Sequence, residues 1–317
     1  MASKKPVIAV VGATGAQGSG LVRAILQDPA RRFTARAITR KPDSEKAHAL
    51  AAQGAEVVGA DAGDVASLER AFAGAAGAFC VTNFWEHFSA ETEVVQARNM
   101  ARAAARADVR HVIWSTLEDT RKLVPLSDPR MPTLMGRYKV PHFDGKGEAD
   151  AVFAEEKAPT TLLRTSFYWD NLIHFGMGPK KDASGQLVLA LPMGDKKLSG
   201  IAAEDIGPCA FGVFVRGPET IGRTLGIAGE HLTGAQMAAE LSTALGQPVR
   251  YQSMSFDAYR KLGFPGADDL GNMFQYYHDF EREFCAARPL EQARALYPGL
   301  QTFRQWLARH AKQIPLS

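Results

Sequence analysis

Apolar residues in the first half of the chain fall into short, nearly unbroken runs, and the segments between them show helical spacing. Val7–Val11 is such a run and ends at Gly12. Leu21–Gln27 carries apolar residues at helical intervals and is stopped by Asp28-Pro29. The same alternation predicts strands over Phe33–Thr39, Ala55–Val58, Ala78–Thr82 and His111–Ser115. Between them it predicts helices over Glu45–Gln53, Ala66–Phe72 and Glu91–Arg106, with Asp64 as an N-cap for the second. Strands that are apolar throughout are buried on both faces, and a strand–helix–strand rhythm needs crossover connections. The fold class is therefore α/β, with a doubly wound parallel sheet.

The rhythm breaks after Ser115. Arg121–Pro141 contains Pro125, Pro129, Pro132 and Pro141, too many for a helix or a central strand. It is expected to be a long loop, of the kind that is usually functional or mobile. A helix over Glu148–Glu156 and a strand over Thr160–Thr165 resume the pattern. Beyond Phe167 the signals thin out. Strands are expected at Leu187–Leu191 and Thr224–Ile227, and helices at Gly234–Leu245 and Leu290–Tyr297. The expected division is a dinucleotide-binding domain over residues 1–165 and a smaller subdomain over 166–317. Segments at about 200–230 are expected to return to the first domain.

Composition changes this picture little. The 317 residues are 46% hydrophobic and 22% charged, enough apolar material for a sizeable core. A net charge of +3 does not suggest direct nucleic-acid binding, which needs a clustered basic face. Cys80, Cys209 and Cys285 are odd in number and widely spaced. That argues against a disulfide framework or a zinc site, so no metal is expected, and it fits a reducing compartment. No apolar run approaches a membrane span, and the opening residues lack a leader's apolar core. A cytoplasmic location without membrane association is the expectation.

The strongest chemical signal is Val7-Ile-Ala-Val-Val-Gly12-Ala-Thr-Gly15-Ala-Gln-Gly18. Strand, glycines spaced G-x-x-G-x-x-G, and helix follow one another. Glycines permit a tight turn and close backbone approach to a pyrophosphate, and the helix N-terminus favours its charge. The competing reading is a glycine turn that only packs a helix on a sheet. NAD-binding folds usually place a carboxylate about 20 residues beyond the glycines to hold the ribose. Here Ile38-Thr39-Arg40-Lys41 stands in that place. The Arg40 guanidinium suits a 2′-phosphate, which favours NADP(H). A merely solvated basic pair is the alternative.

With these residues in view, the sequence resembles the NmrA-like family of atypical short-chain dehydrogenase/reductase proteins, its NADPH redox-sensor branch above all. The resemblance rests on the glycine string, Val57-Val58 running into Asp61, Val81-Thr-Asn-Phe-Trp-Glu86, and His142-Phe-Asp-Gly-Lys-Gly-Glu148. It continues through Tyr168-Trp-Asp-Asn-Leu172, Leu262-Gly-Phe-Pro-Gly-Ala267 and Asn272-Met-Phe274. It implies a Rossmann-type fold with a smaller mixed C-terminal subdomain over the cofactor cleft. It further implies that Gly12, Ala13, Thr14, Gly15, Ala16, Gln17 and Gly18 hold the pyrophosphate, and Arg40 the 2′-phosphate. Asp61 and Ala62 would lie beside the adenine, and Thr82, Asn83 and Phe84 along the middle of the cofactor. Lys146 would reach the nicotinamide ribose, with Tyr168, Trp169, Asp170 and Asn171 near the nicotinamide. One departure is Pro42-Asp43-Ser44, where the branch often carries a further basic residue.

Active short-chain dehydrogenases use a tyrosine and a lysine four residues apart on one helical face, with a serine at a strand end. The matching residues here are His142, Lys146 and Ser115, so the tyrosine is replaced. Tyr138 is a second candidate donor, reaching in from the loop. His142 as a positioning residue without chemistry, and Ser115 as a hydroxyl that satisfies local backbone, are the plainer alternatives. Phe84, Trp85, Phe167, Tyr168 and Trp169 either wall a substrate pocket or belong to the core. The function expected is an NADP(H)-binding redox sensor or regulator with a degenerate active site; the alternative is an NADPH-dependent reductase of quinones, enones or related small aromatic compounds. A co-regulator acting through a protein partner is a third reading. The resemblance also hints at homodimers.

Overall fold

The computed structural model describes residues 5–316; Met1–Lys4, the start of the first expected domain, and Ser317 lie outside it. The described residues form two compact units. Among the described residues, the first comprises 5–119, 142–164 and 204–225, and the second 120–141, 165–203 and 226–316.

In the first unit the strand–helix alternation folds as a doubly wound sheet. Its elements are β1 (Val7–Val11), α1 (Ala16–Leu26), β2 (Thr34–Thr39), α2 (Glu45–Ala52), β3 (Glu56–Gly59) and α3 (Val65–Phe72). They continue with β4 (Gly77–Cys80), α4 (Ala90–Arg106), β5 (His111–Thr116), α5 (Pro141–Glu155) and β6 (Thr160–Arg164). The sheet has seven strands in the order β3-β2-β1-β4-β5-β6, bounded beyond β6 by Thr224–Gly226. The pairs β1–β2, β2–β3, β1–β4, β4–β5 and β5–β6 are all parallel. Order reverses between β1 and β4, and such a switch point opens a crevice at the carboxyl ends of the strands.

Asp64 caps α3 by accepting from the Ala66 amide, as its position in the sequence implies. One face of the sheet carries a core of Leu68, Phe72, Met100, Trp114 and Phe153, all buried. Trp114 and Phe153 have ring centroids 5.1 Å apart. Every residue of β5 is buried, which explains its lack of any polar alternation.

Helix α5 corrects one expectation. The helix expected over Glu148–Glu156 begins two turns earlier, at Pro141. Proline had been read as closing the loop. At the first helical position its missing N–H is one that no helix satisfies internally, and its fixed φ suits the turn. His142 and Lys146 therefore both stand on helix.

The second unit holds two small sheets. Phe167–Tyr168, Lys197–Ile201 and Glu230–Thr233 form one, and Lys180–Lys181, Leu187–Ala190 and Val249–Gln252 the other. The helix Ala267–Asp279 is buried along nearly its whole length. Residues 121–141 are irregular as expected, but they are pinned. Asn272 donates from Nδ2 to the carbonyls of Pro132 and Lys139, and Gln275 donates from Nε2 to that of Arg130 at 2.8 Å. The buried Lys139 ammonium donates to the carbonyls of Asp128 and Met131 at 2.8 and 2.7 Å.

At the start of β5, His111 is buried, with its Nε2 2.9 Å from Thr161 Oγ1 and 3.3 Å from Thr220 Oγ1. Burial pulls its pKa down to about 4. The unfolded chain binds the proton more readily, so this site's contribution is full above the unfolded value near 6.5 and is lost as pH falls towards 4. Unfolding titrations at several pH values should show His111→Gln losing less stability than the parent between those limits, by up to about 3 kcal/mol. Parallel pH profiles would rule out this buried neutral imidazole as a source of acid lability.

Candidate functional site

The carboxyl ends of the parallel strands in the first unit gather most of the expected cofactor residues. Gly12 ends β1 with φ +66°, a conformation that disfavours any side chain. The Gly15 amide closes the turn by donating to the Gly12 carbonyl at 2.9 Å. A Cβ at Gly18 would sit 2.4 Å from that same carbonyl oxygen, so only glycine lets the helix start lie against the loop. Gly12, Gly15 and Ala16 are exposed, and α1 begins with no side-chain cap and no acidic residue in its first turn. Its positive end is thus left available to an anion. This cradle is the feature that fits a pyrophosphate.

Around it, the Ser115 hydroxyl at the end of β5 donates to Gln17 Oε1 at 2.7 Å, so Ser115 is tied to the first turn of α1. Beyond β3, the Asp61 carboxylate accepts from the Gly63 amide at 2.7 Å, and Asn99 Nδ2 donates to the Ala62 carbonyl at 2.9 Å. These bonds fix the Asp61–Ala62 turn. Arg40, directly after β2, pairs with Glu86, which lies in the short turn Phe84–Glu86 after β4. The Glu86 carboxylate, and beyond it Asp61, hold the Arg40 guanidinium above its already high basicity.

Lys146 sits on α5 one turn beyond His142. Its ammonium donates to Thr82 Oγ1 at 2.8 Å and to the Thr82 carbonyl at 3.2 Å. It also lies 3.2 Å from Glu93 Oε1 and 5.1 Å from the centre of the Trp114 ring. Glu93 is wholly buried and the Lys146 side chain is 12% exposed, so this is an interior ion pair. Helix α5 approaches α4 closely there, since a Cβ at Gly145 would meet Ala90 Cβ at 2.9 Å. The His142 ring is buried, with centroids 4.9 Å from Trp85, 5.9 Å from Phe84 and 4.8 Å from Phe143. Asn83, between Thr82 and Phe84, is exposed.

The remaining expected residues belong to the second unit. Tyr138 is fully buried, its ring flanked by the guanidinium groups of Arg121 and Arg137 at 5.3 and 5.1 Å. Tyr168 is half-buried, with its hydroxyl 3.4 Å from Thr165 Oγ1. Trp169 is core: it packs on Gly200, where a Cβ would lie 2.1 Å from its Nε1, and 5.3 Å from the Phe303 ring. Asp170 Oδ2 accepts from the Ala203 amide at 2.8 Å, and Asn171 opens the short helix Asn171–His174. Phe167 is buried beside Phe274.

Sequence reasoning passed over Glu93 and Glu86. Glu93 carried a readable signal. It lies in register with Ala97, Met100, Ala101 and Ala104, a carboxylate on the apolar stripe of α4. Glu86 stood inside a quoted string, but no spacing in the sequence pairs it with Arg40. Among the described residues no group of three or more histidines, cysteines or acids is placed to hold a metal, and no helix is long and apolar enough to cross a membrane.

Comparison with known proteins gives this geometry a setting. FrzB, an NmrA-like family domain-containing oxidoreductase from a Cladobotryum species, is 28% identical over 305 residues, covering 90% of this chain and 88% of that protein. NmrA, a negative transcriptional regulator, matches in its complex with NAD at TM-score 0.79 and 23% identity, covering 97% of this chain and 95% of that one. Triphenylmethane reductase from Citrobacter sp., complexed with NADP(H), matches at TM-score 0.73 and 20% identity, covering 96% and 99%. The NmrA-like family pattern itself matches residues 4–307, and the chain belongs to the NmrA-like family.

Proposed function

We propose that this protein is a nicotinamide-cofactor-dependent reductase, using NADPH, of planar electron-poor acceptors such as quinones, enones or related aromatic compounds. The observation that carries the reading is the Lys146 ammonium, fixed by Thr82 and the buried Glu93 one helical turn from His142, whose ring packs on Phe84 and Trp85. Three oxygens hold this buried cation in one position, and a ribose hydroxyl or a developing anion can accept from it in exchange for the longer bond to the Thr82 carbonyl. When bound, a reduced nicotinamide supplies a hydride. The protein then has to orient the acceptor and stabilise charge, and solvent can deliver the proton to a reduced quinone. That chemistry tolerates histidine in place of tyrosine.

In this reading the glycine cradle and the uncapped start of α1 take the pyrophosphate. Arg40 takes the 2′-phosphate, and the fixed turn Asp61–Ala62 flanks the adenine. Ser115 keeps Gln17 in place at the head of α1. The naming of FrzB as an oxidoreductase and the NADP(H) complex of triphenylmethane reductase support an enzyme. A cofactor-sensing regulator is the second reading, favoured by the burial of His142 among three aromatic rings at the position of the usual acid. Thiol redox sensing has no such support: burial pushes the thiols of Cys80 and Cys209 far above their ordinary range.

Calorimetric titration with NADPH and NADH, followed by a screen for NADPH oxidation against quinones and enones, tests the proposal. Binding with oxidation is the expected result; tight binding without oxidation of any acceptor moves the protein to the regulatory reading. Arg40→Ala should weaken NADPH by about tenfold or more while leaving NADH within about twofold. Equal losses for both cofactors would remove Arg40 from the 2′-phosphate. Lys146→Met strands a buried carboxylate and should cost about 3–5 kcal/mol in denaturant unfolding, most of it restored by adding Glu93→Gln. A neutral single substitution would mean that the pair carries no such coupling.

A further inference from the structure

Arg40 does not stand alone. Its Nη1 donates to Glu86 Oε1, and the Asp61 carboxylate adds to the negative field around the guanidinium. Both side chains of the Arg40–Glu86 pair are open to water, at 55% and 42% exposure. The Ser44 hydroxyl donates to the Lys41 carbonyl and accepts from the Ala47 amide, so it is committed to starting α2. A 2′-phosphate brings about −1.5 to −2 charges and seeks the guanidinium that the carboxylate already holds. A ribose carrying only hydroxyls makes no such demand, and can leave the pair as it is.

We infer that Glu86 sets the cofactor preference: it competes with the 2′-phosphate for Arg40, so that the site accepts NADPH and NADH with only a small difference between them. This rests on the nicotinamide-cofactor reading above and adds to it a residue that weakens one cofactor selectively. An exposed ion pair is a modest competitor, because each partner is readily resolvated and the attraction is screened. Glu86 can therefore rotate into solvent when the phosphate arrives, and the binding of NADPH is reduced by the cost of that exchange. Binding of NADH leaves Arg40 and Glu86 together. Charge balance, rather than the presence of arginine alone, then decides selectivity at this position.

The test is calorimetric titration of the full chain and of Glu86→Gln with NADPH and NADH at low salt. Glu86 is exposed and glutamine keeps its shape, so the fold is not at stake. NADPH affinity should rise about two- to fivefold in the variant, with NADH unchanged. Adding Arg40→Ala to Glu86→Gln should abolish the gain. An unchanged NADPH affinity, an equal gain for both cofactors, or a gain that survives loss of Arg40 would each overturn the inference. Failure of the unmutated chain to bind either cofactor would instead overturn the cofactor reading, and this inference with it.

Discussion

The geometry of the glycine cradle depends on how closely helix α1 can be approached by backbone. On one side, the loop carbonyl of Gly12 lies where a side chain at Gly18 would have to go. On the other, Gly20 faces the Glu204 carbonyl, and a Cβ on Gly207 would lie 2.0 Å from the Leu21 amide nitrogen. Glycines on both partners let α1 and the helix Ala203–Arg216 touch through main chain, locking α1 in depth and rotation. Its N-terminus is then aimed by packing and not by a side-chain cap. In the proposed reading, a phosphate-binding loop built this way is rigid before a ligand arrives, so little ordering cost remains at binding. The same packing explains why residues 204–225 belong with the first unit although they are distant in sequence.

How far all this was legible follows from the range of the forces involved. The alternation that builds β1 to β6 was readable because two-sided burial leaves strands almost purely apolar. The cradle was readable because its constraint is local: glycines a few residues apart, between a strand and a helix. Helix α5 was misjudged at its start because proline signals both a stop and a first turn, and only the following contacts decide. Pinning of residues 121–141 was not readable. Asn272 and Gln275 look like ordinary polar residues on a helix until the loop carbonyls they satisfy are placed beside them. Trp169 was left between cofactor contact and core, and packing on Gly200 and Phe303 places its ring in the core.

The two charge pairs near the strand ends show how burial assigns different work to the same chemistry. Lys146 and Glu93 are held away from water, so each is the other's main compensation, and separation would leave an isolated interior charge. Such a pair is fixed. Thr82 restricts it further by accepting twice from the same ammonium, and Gly145 lets α5 come close enough to α4 for the pair to form. Arg40 and Glu86 have the same charges but stand in solvent. Their attraction is small and exchangeable, and a stronger anion can divide them.

This contrast bears on where selectivity and chemistry can reside in the proposed reductase. A group that must hold one position relative to a reacting centre benefits from a rigid, desolvated partner, because no reorganisation is then needed as charge develops. A group that must accept either a phosphate or a hydroxyl benefits from a partner that can leave. The interior pair meets the first requirement and the exterior pair the second, and neither would serve in the other's place. Burying Arg40 with Glu86 would make the phosphate displace a desolvated carboxylate, at a cost no single phosphate contact offsets. Exposing Lys146 would return its charge to water and its side chain to rotamer disorder, and the cation fixed by Thr82 and Glu93 would be lost.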